Sequence, residues 1–122
     1  MSLLEPTDVI LLTVNDLSAA AVWYREKLDC YPVPAGDDEL TRVFQFEPGQ
    51  PSLVLGLHQP GEPEPGSQET VPVFYTKKIS KAHDVLSRRG APVGPIQHDR
   101  GGTPFFELSD PDGNRLEVCE EH

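Results

Sequence analysis

Two glutamates, Glu107 and Glu117, flank the turn of the stretch FFELSDPDGNRLEVCE, which runs from Phe105 to Glu120. One carboxylate on each arm of a hairpin can join a metal site or hold a cation together with its partner. If buried beside the other, it can also have its proton affinity raised enough to act as a general base. The plainer alternative is an exposed pair, or a Glu117 neutralised by Arg115. Of the histidines, His58, at the end of the apolar run LVLGL, is the one that could converge with them. A histidine at a strand end is ordinarily a solvated rim residue. His98, in HDRGG, reads as part of an exposed loop, and His83 reads as the surface of a helix. Cys119 has no base beside it and reads as packing. No glycine-rich phosphate loop is present. DPDGN lacks the spaced carboxylates and closing glutamate of a calcium loop. It reads as a turn in which Asp110 and Asn114 bond the backbone.

The elements that must position these residues repeat. Laying DVILLTVNDLSAAAVWYREKLDC over VPVFYTKKISKAHDVLSRRGAPV brings Val14 onto Thr76, Leu17 onto Ile79 and Ala20 onto Ala82. Each half begins with a β-branched run and continues into a helix. Asp16 or Ser18 caps the first helix and Ser80 the second, with Gly90 as the stop. Leu17, Ala20, Ala21, Tyr24 and Leu28 share a face at helical spacing, as do Ile79, Ala82, Val85 and Leu86. Strands follow at about Tyr31–Pro34, Arg42–Glu47 and Ser52–His58, then at Val93–His98, Pro104–Leu108 and Arg115–Glu120. The result is a single α+β domain of two βαβββ modules, about 7–58 and 71–121. The Pro- and Gly-rich segment 59–70 between them reads as a flexible linker.

The chain has 122 residues and a formal charge of −10, with 20 acidic against 10 basic side chains. That balance disfavours nucleic acid and anionic membrane as partners and suits a cationic small molecule. Two cysteines, Cys30 and Cys119, make no disulfide framework and point to a reducing, cytoplasmic setting. No run is long and apolar enough to span a membrane.

The modular plan resembles the vicinal oxygen chelate superfamily, the glyoxalase, bleomycin-resistance and extradiol-dioxygenase group. VNDLSAAAVWYREKL near the start and FFELSDPDGNRLEVCE near the end carry the resemblance. It implies paired modules curling into a U-shaped mixed sheet around a ligand cavity, usually in a homodimer. The metal enzymes of that group place His or Gln in the first strand and Glu at the end of the first module. They place His at the start of the second module and Glu in the last strand. Glu117 matches the last of these. Val9, the neighbourhood of Gly56, and Val71 stand at the others, and valine cannot coordinate an ion. The expectation is therefore a site without a metal cofactor. A displaced divalent ion would need Glu117 with His58 or Glu107.

Side chains alternate along a strand, so Arg115 and Cys119 share the face of Glu117. The resemblance implies the inward sets of the other strands: Val9, Leu11 and Thr13; Gly56 and His58; Val71, Val73 and Tyr75; and Phe105 with Glu107. The expected ligand-binding residues are Leu11, Thr13, His58, Val73, Tyr75, Phe105, Glu107 and Glu117. In the first of two readings they sequester a cationic or amphipathic molecule, as bleomycin-resistance proteins do. In the second, Glu117 is the general base of a glyoxalase-like lyase or isomerase, or the site is a dioxygenase centre that has moved.

Overall fold

Apolar alternation in the strands and a single apolar stripe on each helix produce two βαβββ units, seen in a computed structural model that describes residues 3–6, 8–48, 52–68 and 70–121. The strands are β1 (Glu5–Pro6), β2 (Ile10–Val14), β3 (Tyr31–Pro32), β4 (Thr41–Gln45), β5 (Leu53–Leu57), β6 (Val73–Thr76), β7 (Gln97–His98), β8 (Pro104–Ser109) and β9 (Arg115–Glu120). The helices are α1 (Leu17–Leu28) and α2 (Ile79–Arg88). The strands form two mixed sheets, ordered β2-β5-β4-β3 and β1-β6-β9-β8-β7. In each module the first and last strands pair in parallel, as β2 does with β5 and β6 with β9. A helix returning across one face makes such a parallel pairing possible.

β1 falls outside the repeat. It pairs antiparallel with β6, placing Glu5 opposite Tyr75 and Pro6 opposite Phe74, and the chain then crosses to the other sheet as β2. Leu4 is fully buried beside it, so the N-terminal segment ties the two sheets together. Proline is tolerated because β1 is an edge strand.

α1 packs on β4 and β5, and α2 on β8 and β9, leaving the opposite face of each sheet open. The core between helices and sheets holds Tyr24, Leu28, Leu53, Leu55, Phe74, Leu86, Phe106 and Leu116. Asp16 caps α1 by accepting a bond from Ala19 N at 3.0 Å, and Asp29 ends the helix with φ 62°. The expectation that Ser80 caps α2 is corrected. Lys78 occupies the N-cap position without a side-chain bond, and Glu120 Oε2, from β9, accepts the Ile79 N–H at 2.9 Å. A carboxylate there also meets the positive end of the helix dipole. Gly90 follows the helix with φ 84°, as its stop role requires.

His83, expected at the helix surface, is half-buried. Its ring packs edge-on against Phe106 with centroids 4.9 Å apart, and its Nε2 lies 2.8 Å from the Gly94 carbonyl oxygen. Tyr24 is the fully buried aromatic of α1. Trp23 beside it is half-buried, with its ring edge-on to Tyr24 at 4.9 Å. Trp23→Ala should therefore cost about 2 kcal/mol, below the roughly 3–5 kcal/mol of a fully buried aromatic. A chemical-denaturation loss above about 4 kcal/mol, or none, would contradict that placement.

Candidate functional site

The second sheet carries its candidate residues in rungs. One rung runs Val73, Glu117, Glu107 across β6, β9 and β8. The next runs Glu5, Tyr75, Cys119, Phe105, Gln97 across all five strands. Leu116 and Val118, the alternate residues of β9, are fully buried against the helix side, so Glu117 and its rung belong to the open face. In the first sheet Leu11 pairs with Val54 and Thr13 with Gly56, on the face opposite buried Ile10, Leu12 and Val14. Within the strands, the expected face set of Leu11, Thr13, Val73, Tyr75, Phe105, Glu107 and Glu117 alternates with buried neighbours, while Val9, His58 and Val71 lie outside the strands.

Glu107 and Glu117 are direct cross-strand partners. Like charges so placed repel. Among the described residues no cation lies within ion-pair distance of either, and Arg115, the plain candidate to neutralise Glu117, does not pair with it. Partial burial raises the Glu117 carboxyl above its ordinary pKa, and the charges of Glu107 and Asp99 push it further. Asp99 went unnoticed in the sequence. It sits in the loop after β7, where its Oδ1 accepts bonds from Gly101 N at 2.8 Å and Thr103 N at 3.0 Å.

A raised carboxyl carries a stability consequence with a definite sign. Folding favours the acid form of Glu117. Its contribution is complete below the ordinary carboxylate pKa and is lost as pH rises through the raised folded value. At neutral pH Glu117→Gln should therefore stabilise the protein. The carboxyl is partly solvated, so screening keeps the gain under about 1 kcal/mol. Urea denaturation should show that gain at neutral pH and none in acid, where Glu117 is already protonated. Equal midpoints at both would contradict the raised carboxyl.

The metal implied by the resemblance does not fit these residues. Glu117 N donates to Pro72 O at 3.0 Å, so the backbone beside the carboxylate offers Val71 and Val73 where a histidine would be needed. Val9, on the other sheet, is 56% exposed and offers no donor. His58 does not join the glutamates. It follows β5, and its Nε2 lies 3.1 Å from the Glu62 carbonyl oxygen. Among the described residues no three His, Cys, Asp or Glu side chains gather in a metal-holding group.

A cleft of about 610 Å³ opens where β2 and β6 approach each other. Leu11, Thr13, Val73 and Tyr75 line it; His58, Phe105, Glu107 and Glu117 do not. The carboxylate pair adjoins the cleft rather than lining it, since Glu117 is the rung neighbour of Val73. The roof is the segment 62–68, which brings Glu62 and Glu64 over the cleft. The expectation of a flexible linker is corrected for its described residues. Gly66 N donates to Asn114 Oδ1 at 2.9 Å, and Gln68 exchanges two bonds with the Arg115 backbone, at 2.6 and 3.1 Å. Gly66 has φ 90°, and a Cβ there would lie 2.8 Å from Gly113 O, so only glycine fits against the turn.

That turn is the hub of the site. Asp110 Oδ1 accepts from Asp112 N at 2.9 Å and Asn114 N at 2.8 Å, as the DPDGN reading expects. Its Oδ2 reaches further, accepting from Tyr24 OH of α1 at 2.6 Å and from Asn114 Nδ2 at 2.9 Å. Asn114 Nδ2 also donates to Thr13 O at 2.9 Å. One turn of the second module thus holds the helix and first strand of the first module, together with the roof of the cleft. These partners lie far away in sequence, so the motif revealed a turn but not what it ties.

Residues 7–118 match the family described as the Glyoxalase/Bleomycin resistance protein/Dioxygenase superfamily. No curated protein matches the chain. Among solved structures, a member of that superfamily from Sphaerobacter thermophilus DSM 20745 superposes with TM-score 0.77 at 24% identity, covering 93% of this chain and 95% of its own. A lactoylglutathione lyase from Agrobacterium tumefaciens gives 0.70 at 21% identity, with 93% and 91% covered. An integron cassette protein from the mobile metagenome of V. Cholerae gives 0.63 at 26% identity, with 94% of each covered. With two βαβββ units and a match spanning residues 7–118, the protein belongs to the Glyoxalase/Bleomycin resistance protein/Dioxygenase superfamily.

Proposed function

We propose that the open face binds a small cationic or amphipathic molecule without a metal and without making a bond. One observation carries this reading: Glu107 and Glu117 face each other across one rung with no cation among the described residues to neutralise them. Burial raises Glu117 and the Glu107 charge adds to it, and a ligand cation would offset that repulsion. Val73, Tyr75, Phe105 and Leu11 supply apolar and aromatic surface for the rest of such a ligand. The acidic chain would draw a cation in. In this reading two copies form a homodimer that closes the open side. Its support is the exposure of Leu11 (73%) and Val9 (56%) on that face, and light scattering at micromolar concentration checks it.

Calorimetric titration with benzyltrimethylammonium, against neutral tert-butylbenzene, tests the binding. Saturable uptake of the cation alone, one per chain, is expected. Equal affinity for the neutral analogue, or no uptake of either, would refute the reading.

The raised Glu117 also favours a second reading, in which this carboxylate takes a proton from the carbon beside a carbonyl, as a lyase or isomerase requires. Its signature is exchange of an α-proton of a 2-hydroxycarbonyl compound with solvent deuterium. That exchange should vanish in Glu117→Gln.

A further inference from the structure

A second cleft lies away from the open face, at the end of the domain where α2 begins. It encloses about 490 Å³, within the range of roughly 300–1,000 Å³ found for small-molecule sites. Lys77, Lys78, Lys81 and Arg89 line it, against the single carboxylate of Asp29. The chain carries 20 acidic side chains and only four lysines, so this grouping runs against its overall charge. The fourth lysine, Lys27, donates to the carbonyl oxygen of Arg89 at the rim.

Surface lysines are ordinarily just solvated. Two features separate this group from that case. The first is concavity: the cations line one open cleft, where their fields add, instead of a convex face. The second is pre-organisation. Arg89 Nη1 donates to Lys27 O at 2.9 Å and Nη2 to Asp29 Oδ2 at 3.0 Å, so its guanidinium is fixed before any ligand arrives. The nearby helix N-terminus plays no part, because Glu120 Oε2 already accepts the Ile79 N–H. Leu3 and Val85 add apolar wall, which an inorganic ion alone would not use.

We propose that this cleft binds a phosphate dianion, either free or as the phosphate end of a small organic ester. Lys78 and Lys81 act as the principal point charges, and Arg89, held by Lys27 O and Asp29, contributes only the N–H groups those bonds leave over. The site is independent of the carboxylate face and would persist if the cation reading failed.

The test is calorimetric titration of the whole protein with inorganic phosphate and with phenyl phosphate, at about pH 8, where the phosphate is a dianion, and at constant ionic strength. One saturable site per chain is expected. Phenyl phosphate binding about tenfold tighter than phosphate would identify an ester as the source, and equal binding would identify the free ion. Lys78→Gln/Lys81→Gln should weaken either by at least about tenfold, the change expected for about 1.4 kcal/mol. Arg100→Gln/Arg115→Gln removes the same net charge elsewhere and should change affinity less than about twofold. Circular dichroism confirms that both variants fold. Absence of saturable binding by both anions would overturn the proposal, and so would an equal loss in the two double variants, which would reduce the effect to net charge.

Discussion

Asp110→Ala should destabilise the domain by about 3–5 kcal/mol, the largest loss expected from any polar substitution in this chain. The carboxylate is buried, 5% exposed, and accepts four bonds, two from its own turn and two from side chains. Truncation leaves the Tyr24 hydroxyl without its acceptor in a site where Tyr24 is fully buried. Each stranded donor there costs about 1–3 kcal/mol. Burial and the Asp110 charge both push the Tyr24 phenol well above its ordinary pKa, so the hydroxyl stays a donor throughout the accessible pH range. Tyr24→Phe removes only the 2.6 Å bond and should cost about 1.5–3 kcal/mol. The double variant should lose less than the sum of the singles, because a phenylalanine in place of Tyr24 leaves no hydroxyl to strand. Guanidinium denaturation of all three measures this. Additive losses would mean that the helix and the turn are not coupled through this bond.

The expected cost explains why so polar a motif as DPDGN sits at the centre of the structure. Asn114, 2% exposed, holds β2 through Thr13 O and the cleft roof through Gly66 N. Asn15 adds a tie from the other side, donating from its backbone N and its Nδ2 to Asp112 Oδ1, each at 3.1 Å. The shape of the cleft therefore depends on a turn in the opposite module.

Local periodicities were legible in the sequence and long-range partners were not. Strand parity depends only on a period of two, so the faces of Arg115 and Cys119 followed from Glu117, and those of Leu11, Val73 and Phe105 from the family resemblance that placed one residue on each strand. Helix stripes behaved alike, with Leu17, Ala20, Tyr24 and Leu28 buried as their spacing required. β9 spans Arg115–Glu120 as expected, whereas the expected strand Val93–His98 shrinks to Gln97–His98 with an isolated bridge at Val93. Pro95 has no N–H to give a ladder, which interrupts that strand. β1 could not be seen, because Glu5–Pro6 has no strand signature and is a strand only through its pairing with β6. The α2 cap failed for the same reason: Glu120 lies 41 residues from Ile79. At the site, the Glu107–Glu117 pairing was legible because a tight turn fixes the register of its own hairpin. The roof of the cleft was not, since Pro and Gly content reports a loop's composition and says nothing of what it bonds.

Replacing both glutamates, Glu107→Gln/Glu117→Gln, should abolish measurable uptake of a benzyl ammonium cation, a weakening of about 100-fold. Each carboxylate is assigned about tenfold, since roughly 1.4 kcal/mol is a modest value for a partly desolvated charge contact. The two should not be additive in the single variants. Removing Glu107 relieves the repulsion that raises Glu117, leaving the survivor more fully ionised at a given pH and the better partner for a cation. The two single losses should therefore sum to less than the double loss on a free-energy scale. The pH dependence has a fixed sign. A cation binds the ionised carboxylate, so wild-type affinity rises with pH through the raised Glu117 pKa and then levels off. In Glu107→Gln that rise should move to lower pH, and in Glu117→Gln it should largely disappear. The same variants separate this behaviour from generic attraction to an acidic chain. Removing two charges from a total of −10 changes the overall field only slightly, so a loss set by the field alone would be small and indifferent to which glutamates were replaced. Glu62→Gln/Glu64→Gln, in the roof of the cleft, removes the same charge and leaves the rung intact. Equal losses in the two double variants would reduce the effect to the field of the acidic chain, and a larger loss in Glu62→Gln/Glu64→Gln would assign the cation to the roofed cleft and not to the Glu107–Glu117 rung.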